Sequence, residues 1–249
     1  MTTKTSDKKD IYTVSYLPQS IHITEIEAWL LAEESKTKEG FYCNWRIIYE
    51  HYQKQQFTVL LNKSKPIGFA IWNFDYGKVP EIKIIEIKPT YRKKGLGRLL
   101  VENILNFLRN EYCVVIVECS PHESESFWKK LGFQEFPQNH ILNTRSNKHL
   151  FLTLLPNSDY SIEIQNDEVL EMWDEEPCIA KETNPVFTWN LDFKDGTRVL
   201  TKPIIQPSHY EWRLRWRKGD NIIKDGKIKY YGDEIDNRIF TMVTELPIY

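Results

Sequence analysis

The segment with the densest chemistry runs Ile84-Ile85-Glu86-Ile87-Lys88-Pro89-Thr90-Tyr91-Arg92-Lys93-Lys94-Gly95-Leu96-Gly97-Arg98-Leu99-Leu100. A β-branched run passes into a basic turn with two glycines, and the turn opens a helix-period pattern. The first N–H groups of a helix have no partner inside it, and the helix dipole adds partial positive charge, so such a start attracts anions. Glycines at 95 and 97 remove side chains that would hold an anion off the backbone, while Arg92, Lys93, Lys94 and Arg98 add charge. The expected ligand of the stretch Arg92 to Arg98, Leu96 included, is a pyrophosphate. The pattern is neither the dinucleotide Gly-x-Gly-x-x-Gly nor a P-loop, which needs Gly-Lys-Ser/Thr.

This Arg-x-x-Gly-x-Gly, placed after a strand ending in Ile-x-Pro, resembles the acyl-CoA-binding motif of the GNAT superfamily of N-acetyltransferases. Further on, Ser126-Phe127-Trp128-Lys129-Lys130-Leu131-Gly132-Phe133 is similar to the family's next motif, a helix ending in Leu-Gly-Phe. The resemblance covers about residues 11–155 and implies an α/β fold, a GNAT-like mixed sheet flanked by helices. It also implies acetyl-CoA as co-substrate, with the pantetheine arm held between the strands Ile82 to Ile87 and Val114 to Cys119. Ile85 and Ile87 would present backbone to the thioester, where an N–H can polarise the carbonyl, and Phe127 and Trp128 would pack at the thiol end.

The implied reaction is direct attack of an amine, from a small molecule or a peptide, on the thioester. An ammonium must first lose a proton, so a carboxylate base is useful; Glu86 and Glu118, on the two strands, are the candidates. The plain alternative for each is a strand glutamate facing solvent or paired with Lys83 or Lys88. Many family members carry a tyrosine where this chain has Trp128, and an indole cannot protonate the departing thiolate. That role would pass to Cys119, Ser120, Tyr91 or water. Two rival readings follow: a non-catalytic acyl-CoA-binding sensor or scaffold, and an acetyltransferase acting on aminoacyl-tRNA. A homodimer is common in the fold class.

The elements that must position these residues are legible in the hydrophobic pattern. A first strand lies in Ile11 to Leu17. Ile21 to Glu34 carries a helical stripe, and Asn44 to Tyr52 reads as a second helix. Phe57 to Leu61 and Ile67 to Trp72 form a hairpin, followed by the strand Ile82 to Ile87 and a helix from Gly97 to Arg109. Val114 to Cys119 is a strand, Glu123 to Leu131 a helix, and His149 to Leu154 a closing strand.

At 249 residues the chain accommodates one large domain or two modest ones. Its 41% hydrophobic and 27% charged residues exclude a wholly disordered or fibrous chain. The N-terminus is polar, without the apolar core of a secretory signal, and apolar runs are far shorter than the ~20 residues that span a bilayer. Four cysteines without metal spacing read as reduced thiols in a cytoplasm, with no metal site and no membrane partner.

Composition shifts at Leu155-Pro156-Asn157-Ser158. Residues 1–155 carry 21 Lys and Arg against 17 Asp and Glu, whereas 156–249 carry 12 against 18. The boundary is placed there, between a GNAT-like domain and a smaller, mostly antiparallel β domain of about six strands. In that second part Phe187 to Phe193 alternates, Asp195-Gly196 marks a turn, and Asp225-Gly226 is expected to close a tight hairpin through a type I′ turn. His209 to Arg217 also alternates, with Tyr210, Trp212, Leu214 and Trp216 on one face and Arg213, Arg215 and Arg217 on the other. Such a ladder can contact nucleic acid, but a net charge of −6 argues for a solvated face behind an aromatic core.

Overall fold

The computed structural model describes residues 11–38, 40–144, 148–161, 166–232, 235 and 238–247. The polar N-terminal decapeptide lies outside them. The chain falls into two compact units, one of Met1–Asn73 with Ile82–Asn110, the other of Phe74–Glu81 with Glu111–Tyr249. The compositional boundary at 155/156 is a different kind of division. It marks a change of charge and element type, whereas the units follow which stretches of backbone lie close together.

In the first unit the order is β1 (Tyr12–Ser15), α1 (Ser20–Thr37), α2 (Trp45–Gln53), β2 (Phe57–Asn62), β3 (Lys65–Tyr76), β4 (Val79–Ile87) and α3 (Leu96–Leu108), the last residues of β3 and the first of β4 belonging to the second unit. The strands lie in the order β1-β2-β3-β4. Side chains alternate across a strand, and Phe57, Val59, Leu61, Phe69 and Ile71 turn one face of the sheet toward Ile23, Ile26, Trp29 and Leu30 of α1 and Ile48 of α2. Trp72, on the opposite face, meets Phe107 of α3 at 6.0 Å between ring centres, and Tyr16 stacks on Phe107 at 4.5 Å. Helices therefore cover both faces. Gly68 of β3 is a close-approach position: a Cβ there would fall 2.5 Å from Ile87 Cδ1 and 3.0 Å from the Glu86 carbonyl oxygen.

The second unit begins its main run with β5 (Val114–Glu118), α4 (Glu125–Lys130), β6 (Gln134–Glu135) and β7 (His149–Thr153), in the strand order β5-β7-β6. Six further strands follow: β8 (Glu168–Met172), β9 (Phe187–Asn190), β10 (Val199–Pro207), β11 (Arg213–Lys218), β12 (Asn221–Lys227) and β13 (Phe240–Glu245). They make an antiparallel sheet β12-β11-β8-β9 and an antiparallel pair β10-β13. Trp189, Trp212, Leu214 and Trp216 fill one core, while Ile205, Phe240 and Met242 join Val114, Ile116, Phe136 and Phe151 in another. The expected α/β class holds, with antiparallel sheets toward the C-terminus.

Two local expectations are corrected. Asp225 and Gly226 do not form a turn; both sit inside β12, paired with Arg215 and Leu214 of β11. The turn joining β11 and β12 is Gly219-Asp220, between the paired Lys218 and Asn221, with Gly219 at φ +53°. The carboxylate of Asp225 is instead gripped by both ends of the Arg213 guanidinium, at 2.8 and 2.6 Å. The strand expected from Tyr210 begins only at Arg213, because Trp212 N–H closes a turn on the His209 carbonyl. Trp212, Leu214 and Trp216 are buried as expected, and Tyr210 is exposed. Two short strands, β6 and β8, went unread.

Candidate functional site

The loop after β4 is built as the spacing requires. Pro89–Tyr91 makes one 3-10 turn, Lys93 sits at φ +61°, and Gly95 at φ +76° caps the start of α3. The left-handed angle at 95 is where glycine is needed, since a Cβ would meet open space there but not a comfortable backbone. No side chain caps the first turn of α3 and no acidic residue lies in it. The amides of Leu96, Gly97 and Arg98 thus begin a 13-residue helix whose first turn carries no acidic residue.

The four basic side chains of the loop divide. Arg98 pairs with Glu102 one turn along α3 at 2.7 Å. Lys94 lies over the Tyr91 ring, 5.3 Å from its centre. Lys93 and Lys94 form no ion pair among the described residues. Arg92 turns back from the loop, its Nη2 donating to Glu33 Oε1 at 2.6 Å and to Glu86 Oε1 at 3.0 Å, and its Nε to the Ile87 carbonyl at 2.8 Å.

Glu86 is therefore paired with Arg92. Its Oε1 also accepts the Ile87 N–H at 2.8 Å. Burial raises its pKa above the ordinary carboxylate range, and the neighbouring Arg92 charge only partly offsets this. The Ile87 N–H is committed to this carboxylate, and Ile85 sits beside it, half-buried on β4.

Beside this cluster a groove of about 350 Å³ runs along α1, walled by Trp29, Ala32, Glu33 and Lys36 and by Lys88, Pro89 and Arg92 of the loop. Glu33 could not be singled out: it is 59 positions from Arg92 and looks like any helical glutamate.

In the second unit Glu118 ends β5 and is half-buried; its cross-strand partner is His149 of β7. Buried Glu81 joins them, and one ligand-type atom from each of the three lies within 4.8 Å of the others. One imidazole and two carboxylates are groups able to hold a divalent cation or to share a proton. Sequence spacing had indicated no such grouping, because its members are 37 and 31 positions apart. Phe127 and Trp128 lie on α4, edge to face at 5.1 Å, and Trp128 is buried against Phe133. Gly132 at φ +94° ends that helix, with Phe133 N–H returning to the Trp128 carbonyl. The Cys119 thiol is buried, which raises its pKa, and Glu125 adds to the effect.

Strand, glycine turn and uncapped helix, with a half-buried carboxylate one residue before the strand ends, follow one another in an α/β arrangement. Residues 21–133 match the model of the acetyltransferase (GNAT) family. The uncharacterized N-acetyltransferase ycf52 of Pyropia yezoensis is 31% identical over 143 residues, spanning 54% of this chain and 78% of that protein. Among solved structures, N-acetylglutamate synthase from Neisseria gonorrhoeae, complexed with coenzyme A and N-acetyl-glutamate, matches with a TM-score of 0.46 at 16% identity over 60% of this chain, which spans 36% of that enzyme's length. The PaiA N-acetyltransferase of Thermoplasma acidophilum, in complex with coenzyme A, matches with a TM-score of 0.44 at 12% identity, over 57% of this chain and 99% of that one. The chain belongs to the GNAT acetyltransferase family, a family of acyltransferases. No helix among the described residues is long and apolar enough to cross a membrane.

Proposed function

We propose that the protein is an N-acetyltransferase that moves an acetyl group from acetyl-CoA to an amine acceptor by direct attack. The observation that carries this reading is Glu86: a half-buried carboxylate of raised pKa, at the end of the strand that feeds an uncapped helix start. The pyrophosphate of the donor would lie on the amides of Gly95 to Arg98, with Lys93 and Lys94 supplying mobile positive charge. Absence of any acidic or capping side chain at that helix start fits an anionic ligand.

Glu86 would take a proton from the acceptor ammonium. The neutral amine then attacks the thioester carbonyl, the C–N bond forms, and the C–S bond breaks as the thiolate leaves; the proton that the nitrogen sheds passes to a group or water that in turn protonates the thiolate. Ile85 would present backbone to the carbonyl oxygen. The Ile87 N–H could do so only when Glu86 releases it. Phe127 and Trp128 would pack near the thiol, and the thiolate proton would come from Cys119, Ser120, Tyr91 or water, since a buried indole cannot supply it. Glu118, with His149 and Glu81, is the second candidate base. Residues 1–155 would carry this chemistry and 156–249 an added β module, in a cytoplasmic protein whose four cysteines are free thiols.

The aminoacyl-tRNA reading loses its motivation, because Arg213, Arg215 and Arg217 are each paired with a carboxylate. The binding-only reading is tested directly. Calorimetry should detect acetyl-CoA binding to the wild type and its loss in a folded Gly97→Glu variant, and thiol release should accompany an amine panel. Binding without thiol release would favour the non-catalytic module, and no binding would refute the donor assignment.

A further inference from the structure

In the second unit, strands β4, β5 and β7 each give one donor group to a single spot. Glu118 of β5 stands directly opposite His149 of β7 in the antiparallel register, and β4, the other neighbour of β5, adds Glu81. Residues paired across a ladder project to one face, so the meeting is set by the sheet and not by a loop. A carboxylate oxygen of Glu81, one of Glu118 and an imidazole nitrogen of His149 lie within 4.8 Å of one another. Glu81 is only 1% exposed and His149 only 8%, so little water screens them. Two carboxylates this close, shielded from solvent, repel unless a proton or a cation lies between them. The Tyr76 hydroxyl records the same concentration of charge: burial raises its pKa, and Glu81, Asp75 and Glu118 each add to the rise. Glu81 and His149 already engage neighbours, so the donor set and its charge, and not a vacancy, select the ligand.

We infer that Glu81, Glu118 and His149 form a site for a divalent cation of the zinc class, held by these three side chains with the remaining position left to water. The imidazole decides the class. Magnesium and calcium take oxygen ligands, whereas one nitrogen with two carboxylates suits zinc. Two carboxylates also match the charge of a dication. Tetrahedral ligands about 2.0–2.2 Å from zinc lie roughly 3.3–3.6 Å apart, so closure asks for side-chain rotations of roughly an ångström, with no strand displaced. Donors mounted on neighbouring strands hold such a geometry better than donors on loops. The site stands independently of the acetyltransferase reading, and a cation there would commit Glu118 and leave Glu86 as the base.

The test is calorimetric titration of the full chain, stripped with a chelator and dialysed, with zinc chloride. One ion per chain should bind. Glu118→Gln and His149→Phe should each weaken binding at least about 100-fold, more than the loss of an outer-shell partner costs, while Glu86→Gln should bind as the wild type does. Cobalt(II) in place of zinc should give the intense visible absorption of a tetrahedral site without a thiolate charge-transfer band, which separates this site from capture by the free cysteines Cys43, Cys113, Cys119 and Cys178. Absence of stoichiometric binding, binding unchanged in a folded Glu118→Gln or His149→Phe, or a thiolate band overturns the inference and leaves a cluster that shares a proton. If neither variant folds, the wild-type stoichiometry and cobalt spectrum decide.

Discussion

Two stretches of this chain are rich in basic residues, the loop Arg92 to Arg98 and the strand Arg213 to Arg217, and the fold treats them in opposite ways. In β11 every arginine is neutralised: Arg213 by Asp225, Arg215 and Arg217 by the buried Glu171 of β8, with Arg213 and Arg215 also stacked near Trp173. In the loop, Lys93 and Lys94 form no ion pair among the described residues, and no side chain caps the helix behind them. Positive charge in a sequence is therefore not positive charge offered to a ligand. What separates the two cases is whether a neighbouring strand brings carboxylates opposite, and β8 does.

The comparison breaks most visibly at the carboxylates. Glu86→Gln keeps the acceptor atom for Arg92 and Ile87 but cannot take a proton, so kcat should fall roughly 10²–10⁴-fold with acetyl-CoA affinity little changed in calorimetry. Glu171→Gln should leave turnover alone. In the wild type the acid limb of kcat should lie above the ordinary carboxylate range, because the base must be ionised and burial raises the Glu86 pKa.

The second unit should answer acid through stability instead. His140 is buried, with Nε2 between the Ser208 and Ile239 carbonyls and Nδ1 accepting the Leu142 N–H, which requires the neutral ring. Burial lowers its pKa to about 4 from 6.5. The unfolded chain then binds the extra proton between those values. Stability should fall as pH drops from about 6.5 to 4, by up to about 3 kcal/mol, measured by urea midpoints. A His140→Gln variant with the same slope would refute the assignment.

Next in size, Gly97→Glu should weaken acetyl-CoA binding about 100-fold, near 2.7 kcal/mol, whereas replacing all three ladder arginines by glutamine should change it less than twofold. Smallest are the stability effects of the basic stretches. Arg215→Ala leaves buried Glu171 with Arg217 alone and should cost about 1–3 kcal/mol. Lys93→Ala should cost less than about 0.5 kcal/mol by thermal unfolding. Equal costs would erase the contrast between a paired and an open cation.

What the sequence determined by itself is local. The hairpin of β2 and β3, the run β4-loop-α3 and the Leu-Gly-Phe end of α4 follow from periodicity and from glycines at 95 and 132, where a left-handed angle is required within a few residues of the signal. The uncapped start of α3 belongs here, since its unpaired N–H groups are those of its own backbone. The second half was less legible for the same reason: Asp225-Gly226 carries a turn signal, yet the pairing of Asp225 with Arg213 across two strands overrides it. Only the tertiary structure decided that Arg92 would face Glu33 and Glu86, that Glu81 and His149 would gather at Glu118, that the arginine ladder would be silenced by Glu171, and that Trp29 and Glu33 would wall one groove beside the loop. Each of these depends on which distant segments lie side by side. A charge or hydrogen-bond partner acts through a few ångströms of space, and chain spacing does not record that distance.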